Sequence, residues 1–573
     1  MIFRLWHHLP LHRKKHVMYL LLLMILASVA EIVSIGLVIP FLSVLTNPSL
    51  VLNNDLFTPF FSYLGIYKSE DILLPITFAF VSAALLAGFI RALLIVVQTK
   101  VGYLTGAELG VKIFSKTLYQ PYEKHLQNNS SQIIAGISHK TTALVQNGII
   151  AILTIISSLL ILISIISVLL FINFKISIIA FLSFGSIYSL MVIFTKSRIE
   201  EKGRLVTKMQ VSVVKKIQEG LGAIRDILID SSQRVFIDAF KNSEFKLRHS
   251  QITHIILSTT PKFIVESLGI AMIAIIAYFL MSDNSLTTNV LATLGALALG
   301  AQRLLPILQQ LYSNWSSFSA GKAAFKDALY LLDQKVKGTK KNTEILKFKN
   351  KITLKSVSFS YLKSKSLVLN KVNLDIPFGS RIGIIGTTGS GKSTILDIIM
   401  SLLHPSSGQI YVDNTLINVN NCHVWQSMIA HVPQSIYLSD ATIAENIAFG
   451  ILKENIDLNK LKKVIELAQL SSTIMMLSKG IDTMVGERGA RLSGGQRQRI
   501  GIARALYKGA NTIIFDEATS ALDSYTEKKI MKSIFELPKE ITMIIVAHRA
   551  STLKHCDNVY KIENNKLNET HLN

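Results

Sequence analysis

Apolar residues follow two patterns along this chain. Through the first 330 positions they gather in runs long enough to cross about 30 Å of hydrocarbon, which takes roughly 20 helical residues. Six runs predict transmembrane helices over 17–45, 72–98, 143–172, 175–196, 252–281 and 287–313. Beyond Lys351 the runs shorten to strand length and alternate with helical stretches, which predicts an α/β domain over 351–573. A polar, Lys-rich stretch over 334–350 reads as the linker that closes a membrane domain of residues 1–333.

Charge then orients the spans. Arg13, Lys14 and Lys15 precede the first; Lys100, Lys112, Lys116, Lys124 and Lys140 fill the second connection; the fourth, from Lys196 to Arg248, holds a dozen basic residues. The first, third and fifth connections offer Lys68, Lys175 and none. The positive-inside rule puts both termini in the cytosol. The first run is too long for a signal peptide and lacks a small-residue cleavage site. Helical periodicity continues past the apolar limits, notably over Glu200–Arg248. The spans should therefore extend into the cytosol and turn back. Residues 2–16 mix apolar and basic positions, as does a helix lying on the cytosolic face.

Composition changes the picture in one respect. The 573 residues are 50% hydrophobic and 17% charged, with a net charge of +23. In a soluble protein that surplus would suggest nucleic acid. Here it divides almost evenly, +12 in residues 1–330 and +11 in the rest. It therefore marks no nucleic-acid domain and in the membrane half mostly fixes topology. Two cysteines, Cys422 and Cys556, exclude a disulfide framework or a CxxC metal cage.

The second domain carries explicit chemistry. Gly386-Thr387-Thr388-Gly389-Ser390-Gly391-Lys392-Ser393, then Thr394, follows an apolar strand and opens a helix. This is the P-loop pattern in its required context. Its glycines let backbone N–H groups curl around phosphate, Lys392 meets the β and γ phosphates, and the Ser393 hydroxyl suits Mg²⁺. Thr512-Ile-Ile-Phe-Asp516-Glu517 is a buried strand ending in two acids, expected on a neighbouring strand. Asp516 would hold Mg²⁺ and Glu517 would polarise the attacking water as general base.

Between these motifs lies Arg491-Leu-Ser493-Gly494-Gly495-Gln496, which resembles the signature of ATP-binding-cassette (ABC) ATPases. The resemblance extends in order to Tyr361 as the adenine-stacking aromatic, Gln434 as the Mg²⁺-sensing glutamine, and Thr483–Gly489 as an exporter segment. It also covers Asp523 in the dimer-contact turn that starts at Ser520, and His548 as the γ-phosphate histidine. It implies ATP and Mg²⁺ as cofactors, and a nucleotide held between the P-loop of one cassette and the signature of another. With one cassette and six spans per chain, it implies an exporter half-transporter: an α-helical membrane domain plus an α/β P-loop ATP-binding domain. A homodimer is the simplest assembly, and an encoded heterodimeric relative is the other option. The turns near Tyr119–Tyr122 and Leu221–Ile229 would be coupling helices resting on the cassettes.

Charge inside the spans bears on cargo. Glu31, Arg91, Lys262, Glu266 and Arg303 interrupt apolar sequence. Internal pairing, such as Glu31 with Arg91, is one reading, with Lys262 snorkelling to headgroups. The other is a cationic lining, Arg91, Lys262 and Arg303, for a phosphate-bearing headgroup. Glu31–Phe41, the Phe-Ile-Arg91-Ala-Leu-Leu stretch and Arg303-Leu-Leu-Pro306 resemble bacterial flippases of polyisoprenyl-pyrophosphate-linked oligosaccharides, the PglK type. That resemblance implies a lipid-linked glycan as cargo, a bacterial inner-membrane location, and a tail-binding external helix over Asp55–Lys68. A lipid A or multidrug exporter shares the architecture, and an ATP-gated regulator or channel is the reading from another class.

Overall fold

The structure, a computed structural model, describes residues 1–46, 71–127, 129–172, 174–282, 290–334, 346–361, 366–519, 522–547 and 550–571. Asp55–Lys68, most of the expected linker, Ser520 and His548 lie outside them. The chain divides into two compact units, Met1–Gln120 with His125–Val336, and Pro121–Lys124 with Lys337–Asn573.

In the first unit the helices outrun the apolar stretches that nucleate them. They are Ile2–His8, Leu11–Gly36, Val38–Thr46, Leu73–Leu118, Ser130–Ala143 and Ala151–Ile172, then Phe174–Gly222, Ile224–Ile229, Gln233–Thr259, Pro261–Ser282 and Val290–Asp333. At 1.5 Å per residue, the 46 residues of Leu73–Leu118 and the 49 of Phe174–Gly222 extend about 69 and 74 Å. Both lengths are more than twice the hydrocarbon thickness, so each helix must leave the bilayer. Short helices Tyr122–Gln127 and Ile224–Ile229 stand at the two expected turns. Among the described residues, Leu11–Leu45, Leu73–Leu118, Ser130–Phe171 and Ser177–Gly222 are long and apolar enough to cross a membrane. Pro261–Ser282 and Val290–Asp333 occupy the fifth and sixth expected spans, with several of their side chains outside the described set.

Small residues let these helices touch backbone to backbone. A Cβ on Gly203 would lie 2.1 Å from the Ala320 carbonyl oxygen, and one on Gly106 would lie 2.0 Å from Val145 Cγ2. The third long helix passes through a π-helical turn at Leu144–Ile150, where Gly148 packs under the Phe325 ring. Pro261 has no N–H to offer the Leu257 carbonyl. The Tyr312 hydroxyl donates to that oxygen at 3.0 Å and closes the gap.

The second unit is built on two sheets. Strands β1 (Lys351–Phe359), β2 (Leu369–Pro377), β4 (Ser407–Val412) and β5 (Thr415–Leu416) form an antiparallel sheet in the order β2-β1-β4-β5. The other contains β3 (Arg381–Gly386), β6 (Ile429–Val432), β7 (Thr512–Asp516), β8 (Thr542–Val546), β9 (Asn558–Glu563) and β10 (Lys566–Thr570), ordered β10-β9-β3-β8-β7-β6. All its pairings are parallel except β9 with β10. Parallel strands are covered on both faces, and accordingly every residue of β8 and the first four of β7 are buried. The sequence placed the acid-bearing strand beside the P-loop strand. In the structure β8 lies between them, so both motifs end at the same sheet edge one strand apart.

Candidate ATP site

Open parallel sheets bind ligands beyond the carboxyl ends of their strands. Here β3 ends in Gly386 and β7 in Asp516. The loop after β3 needs its glycines: Gly389 and Gly391 have φ of +84° and +102°, in the left-handed region that side chains rarely enter. A Cβ on Gly386 would meet Ser390 Oγ at 2.6 Å. Lys392, buried at 8% exposure, folds back so that its Nζ donates to the carbonyls of Gly386 (2.7 Å) and Thr387 (3.1 Å). Ser390 Oγ is buried and, among the described residues, has no hydrogen-bond partner. An unsatisfied hydroxyl and a buried lysine on a glycine loop together fit a polyphosphate.

The acids converge on the same edge. Burial and the adjacent Glu517 charge raise the Asp516 pKa, against the Lys392 charge and a hydrogen bond with Ser393. Those two opposing contacts place Asp516 beside the residues expected to meet phosphate and Mg²⁺. Glu517 sits in a left-handed backbone conformation with φ +50°, which for a residue with a side chain is a strained geometry. Its N–H donates to the Val546 carbonyl at 3.0 Å, which ties it to the end of β8. Gln434 Nε2 donates to Glu517 Oε2 at 2.6 Å, so two residues picked separately from the sequence meet directly.

The Tyr361 hydroxyl lies 3.1 Å from Thr394 Oγ1 and its ring is edge-on to Phe359. Ser493 caps helix Gly494–Lys508 through a reciprocal pair: its Oγ accepts from the Gln496 N–H, and its own N–H donates to Gln496 Oε1. The helix thereby presents the N–H groups of Gly494 and Gly495 outward. Asp523 caps helix Ser524–Phe535 by accepting from the Thr526 N–H at 2.9 Å, which lowers its pKa.

Sequence reasoning missed Asp397. It lies on the P-loop helix Lys392–Ile399, and burial and the Asp516 charge push its pKa up to about 6. The one signal was an acid inside the apolar run Ile395-Leu-Asp397-Ile-Ile.

In the membrane unit the candidate cargo residues do not share one fate. Glu31, at 4% side-chain exposure, accepts from Arg303 at 2.6 Å, and Arg303 also reaches Ser34 Oγ at 3.2 Å. The internal pair therefore joins Glu31 to Arg303, not to Arg91. Arg91 is half-buried and has no ion-pair partner among the described residues. Lys262 and Glu266 are exposed, and Lys262 lies over the Phe263 ring.

Comparison with known proteins agrees with this geometry. Residues 369–520 match the family model described as ABC transporter. ATP-dependent lipid A-core flippases are similar to part of this chain. That of Pectobacterium atrosepticum is 28% identical over 66% of this chain and 67% of its own length. Those of Wigglesworthia glossinidia brevipalpis (29%; 67% and 66%) and Idiomarina loihiensis (33%; 57% and 55%) are also similar. The chain thus spans about two thirds, or less, of these relatives. A solved bacterial Atm1-family ABC exporter with ATP bound shares the fold, with a TM-score of 0.77 over 97% of this chain and 94% of that one at 21% identity. Residues 369–520 thus match the ABC transporter family model, and the whole chain shares the fold of the solved Atm1-family exporter.

Proposed function

We propose that the chain works as a homodimeric ATP-driven flippase of a phosphate-bearing glycolipid in a bacterial inner membrane, with both termini cytosolic. The observation that supports this reading is the cassette edge, where Lys392, Ser393, Asp516, Gln434 and Glu517 lie in contact with one another, as binding of Mg·ATP would require. Ser393, Asp516 and Gln434 would hold Mg²⁺; the ion would neutralise phosphate charge. Glu517 would take the proton of the attacking water, and Asp523 and the outward N–H groups of Gly494 and Gly495 would meet a second copy. His548 would contact the γ-phosphate. The short helices Tyr122–Gln127 and Ile224–Ile229 would carry the cassette's motion to the spans.

Two cargo classes remain in play. The polyisoprenyl-pyrophosphate-linked oligosaccharide rests on residue resemblance alone, whereas the names of the relatives support a lipid A-core type of cargo. Both bear phosphate at a sugar. Pairing of Arg303 with Glu31 leaves Arg91, with exposed Lys262, as the cations best able to meet it. Proteoliposomes holding either lipid would decide. ATP-dependent flipping of lipid A-core, lost in Glu517→Gln, is expected. Flipping of the polyisoprenyl lipid alone would return the cargo to that class. ATPase turnover with neither lipid moved would overturn the glycolipid reading and leave a multidrug exporter or a gating ATPase.

A further inference from the structure

The N-terminal helix Ile2–His8 is apolar on two sides. Leu5 and Leu9 are buried in the membrane unit, while Ile2, Phe3, Trp6 and Leu11 are 54, 91, 42 and 78% exposed. An outward apolar stripe this dense needs a cover. The helix carries Arg4 and sits two residues before a helix long and apolar enough to cross a membrane; Lys14 and Lys15 follow it, Lys14 lying over the Trp6 ring, while Arg13 is engaged by Glu108. Apolar insertion beside basic residues is the chemistry of an anionic bilayer surface.

The polar edge of this helix is engaged elsewhere. Arg4 and His8 both bond Asp333, the last residue of helix Val290–Asp333 and the start of the linker. Lys112 Nζ donates to the His8 carbonyl at 3.1 Å. Lys116 Nζ donates to the carbonyls of Leu332 and Gln334, and Gln120 bonds Gln334. The point where the chain leaves the membrane unit is thus held by residues more than 200 positions earlier.

We infer that the N-terminal helix is a sensor of anionic lipid whose phosphates compete with Asp333 for Arg4, loosening the start of the linker. The magnitudes permit this exchange. Arg4 is 51% and Asp333 34% exposed; an ion pair in that setting is weak, and an anionic leaflet attracts a nearby arginine about as strongly. Once the apolar stripe is inserted, Arg4 lies at headgroup level and phosphate is the more abundant partner. His8 and the two lysines then keep the linker attached without fixing it.

Hydrogen exchange of the full chain tests this in nanodiscs of neutral phosphatidylcholine and of phosphatidylglycerol. In phosphatidylglycerol, amides of residues 2–9 should slow and those of 331–334 should exchange several-fold faster. Arg4→Gln should give fast 331–334 exchange in both lipids. Phe3→Ser with Trp6→Ser should leave both segments unresponsive to lipid charge. Equal 331–334 exchange in the two lipids while residues 2–9 slow would overturn the inference, as would a wild-type response in the Phe3/Trp6 variant. These outcomes do not depend on cargo, so failure here leaves the flippase reading intact.

Discussion

The Glu31–Arg303 pair distinguishes a structural charge from a cargo contact, and its two halves should respond unequally to mutation. Arg303→Ala strands a carboxylate at 4% exposure and also removes the bond to Ser34. Breaking a buried ion pair from one side costs about 3–5 kcal/mol. Glu31→Gln instead strands a guanidinium that is 33% exposed and keeps Ser34, for which about 1 kcal/mol is expected. The double variant Glu31→Gln/Arg303→Ala has no stranded charge, so it should recover most of the loss. Thermal unfolding of the purified protein reads all three, in the order wild type, Glu31→Gln, double variant close behind, and Arg303→Ala lowest. If the double variant shows the sum of the single losses, the two charges are not coupled. If Arg303→Ala unfolds like wild type while transport collapses, Arg303 belongs to cargo.

Other outcomes follow from single observations. Glu517→Gln should retain ATP binding while turnover falls by about 10²–10⁴-fold; near-normal hydrolysis would remove it as general base. Gly203→Ala places a Cβ 2.1 Å from a backbone oxygen that cannot swing away, and a loss of about 1–3 kcal/mol is expected; an unchanged melting temperature would contradict the close helix contact. His431 on β6 is held neutral by burial, its pKa pushed down to about 4. The unfolded chain, titrating near the ordinary value of about 6.5, binds the extra proton, so cassette stability should fall as pH drops through that window. His431→Leu should flatten that part of the pH profile, and an identical slope in variant and wild type would assign it elsewhere. Ser493→Ala removes a reciprocal helix cap and should cost about 1 kcal/mol of cassette stability, visible in denaturant melts.

What the sequence disclosed depended on the range of the signal. The P-loop, the Asp516-Glu517 strand end and the Ser493–Gln496 signature are local patterns written within a few residues. Helix extension beyond the bilayer was legible because periodicity outlasts hydrophobicity over Glu200–Arg248. Pairings across long separations were not. Glu31 and Arg303 lie 272 positions apart, and Arg4 and Asp333 lie 329 apart. Nothing local distinguishes Arg303 from Arg91 as the partner of Glu31. The insertion of β8 between β3 and β7 was hidden for the same reason, since buried parallel strands read alike. Asp397 was passed over because helix periodicity tolerates one polar residue, while its raised pKa comes from burial and, second, from Asp516 at the end of β7.

The folded-back Lys392 has a consequence for how nucleotide enters. Its ammonium is already solvated by two loop carbonyls, so it makes little demand on water and the loop has an internal prop against collapse. Arrival of a polyphosphate is then a substitution reaction at nitrogen's three donors, with carbonyl oxygens leaving as phosphate oxygens join.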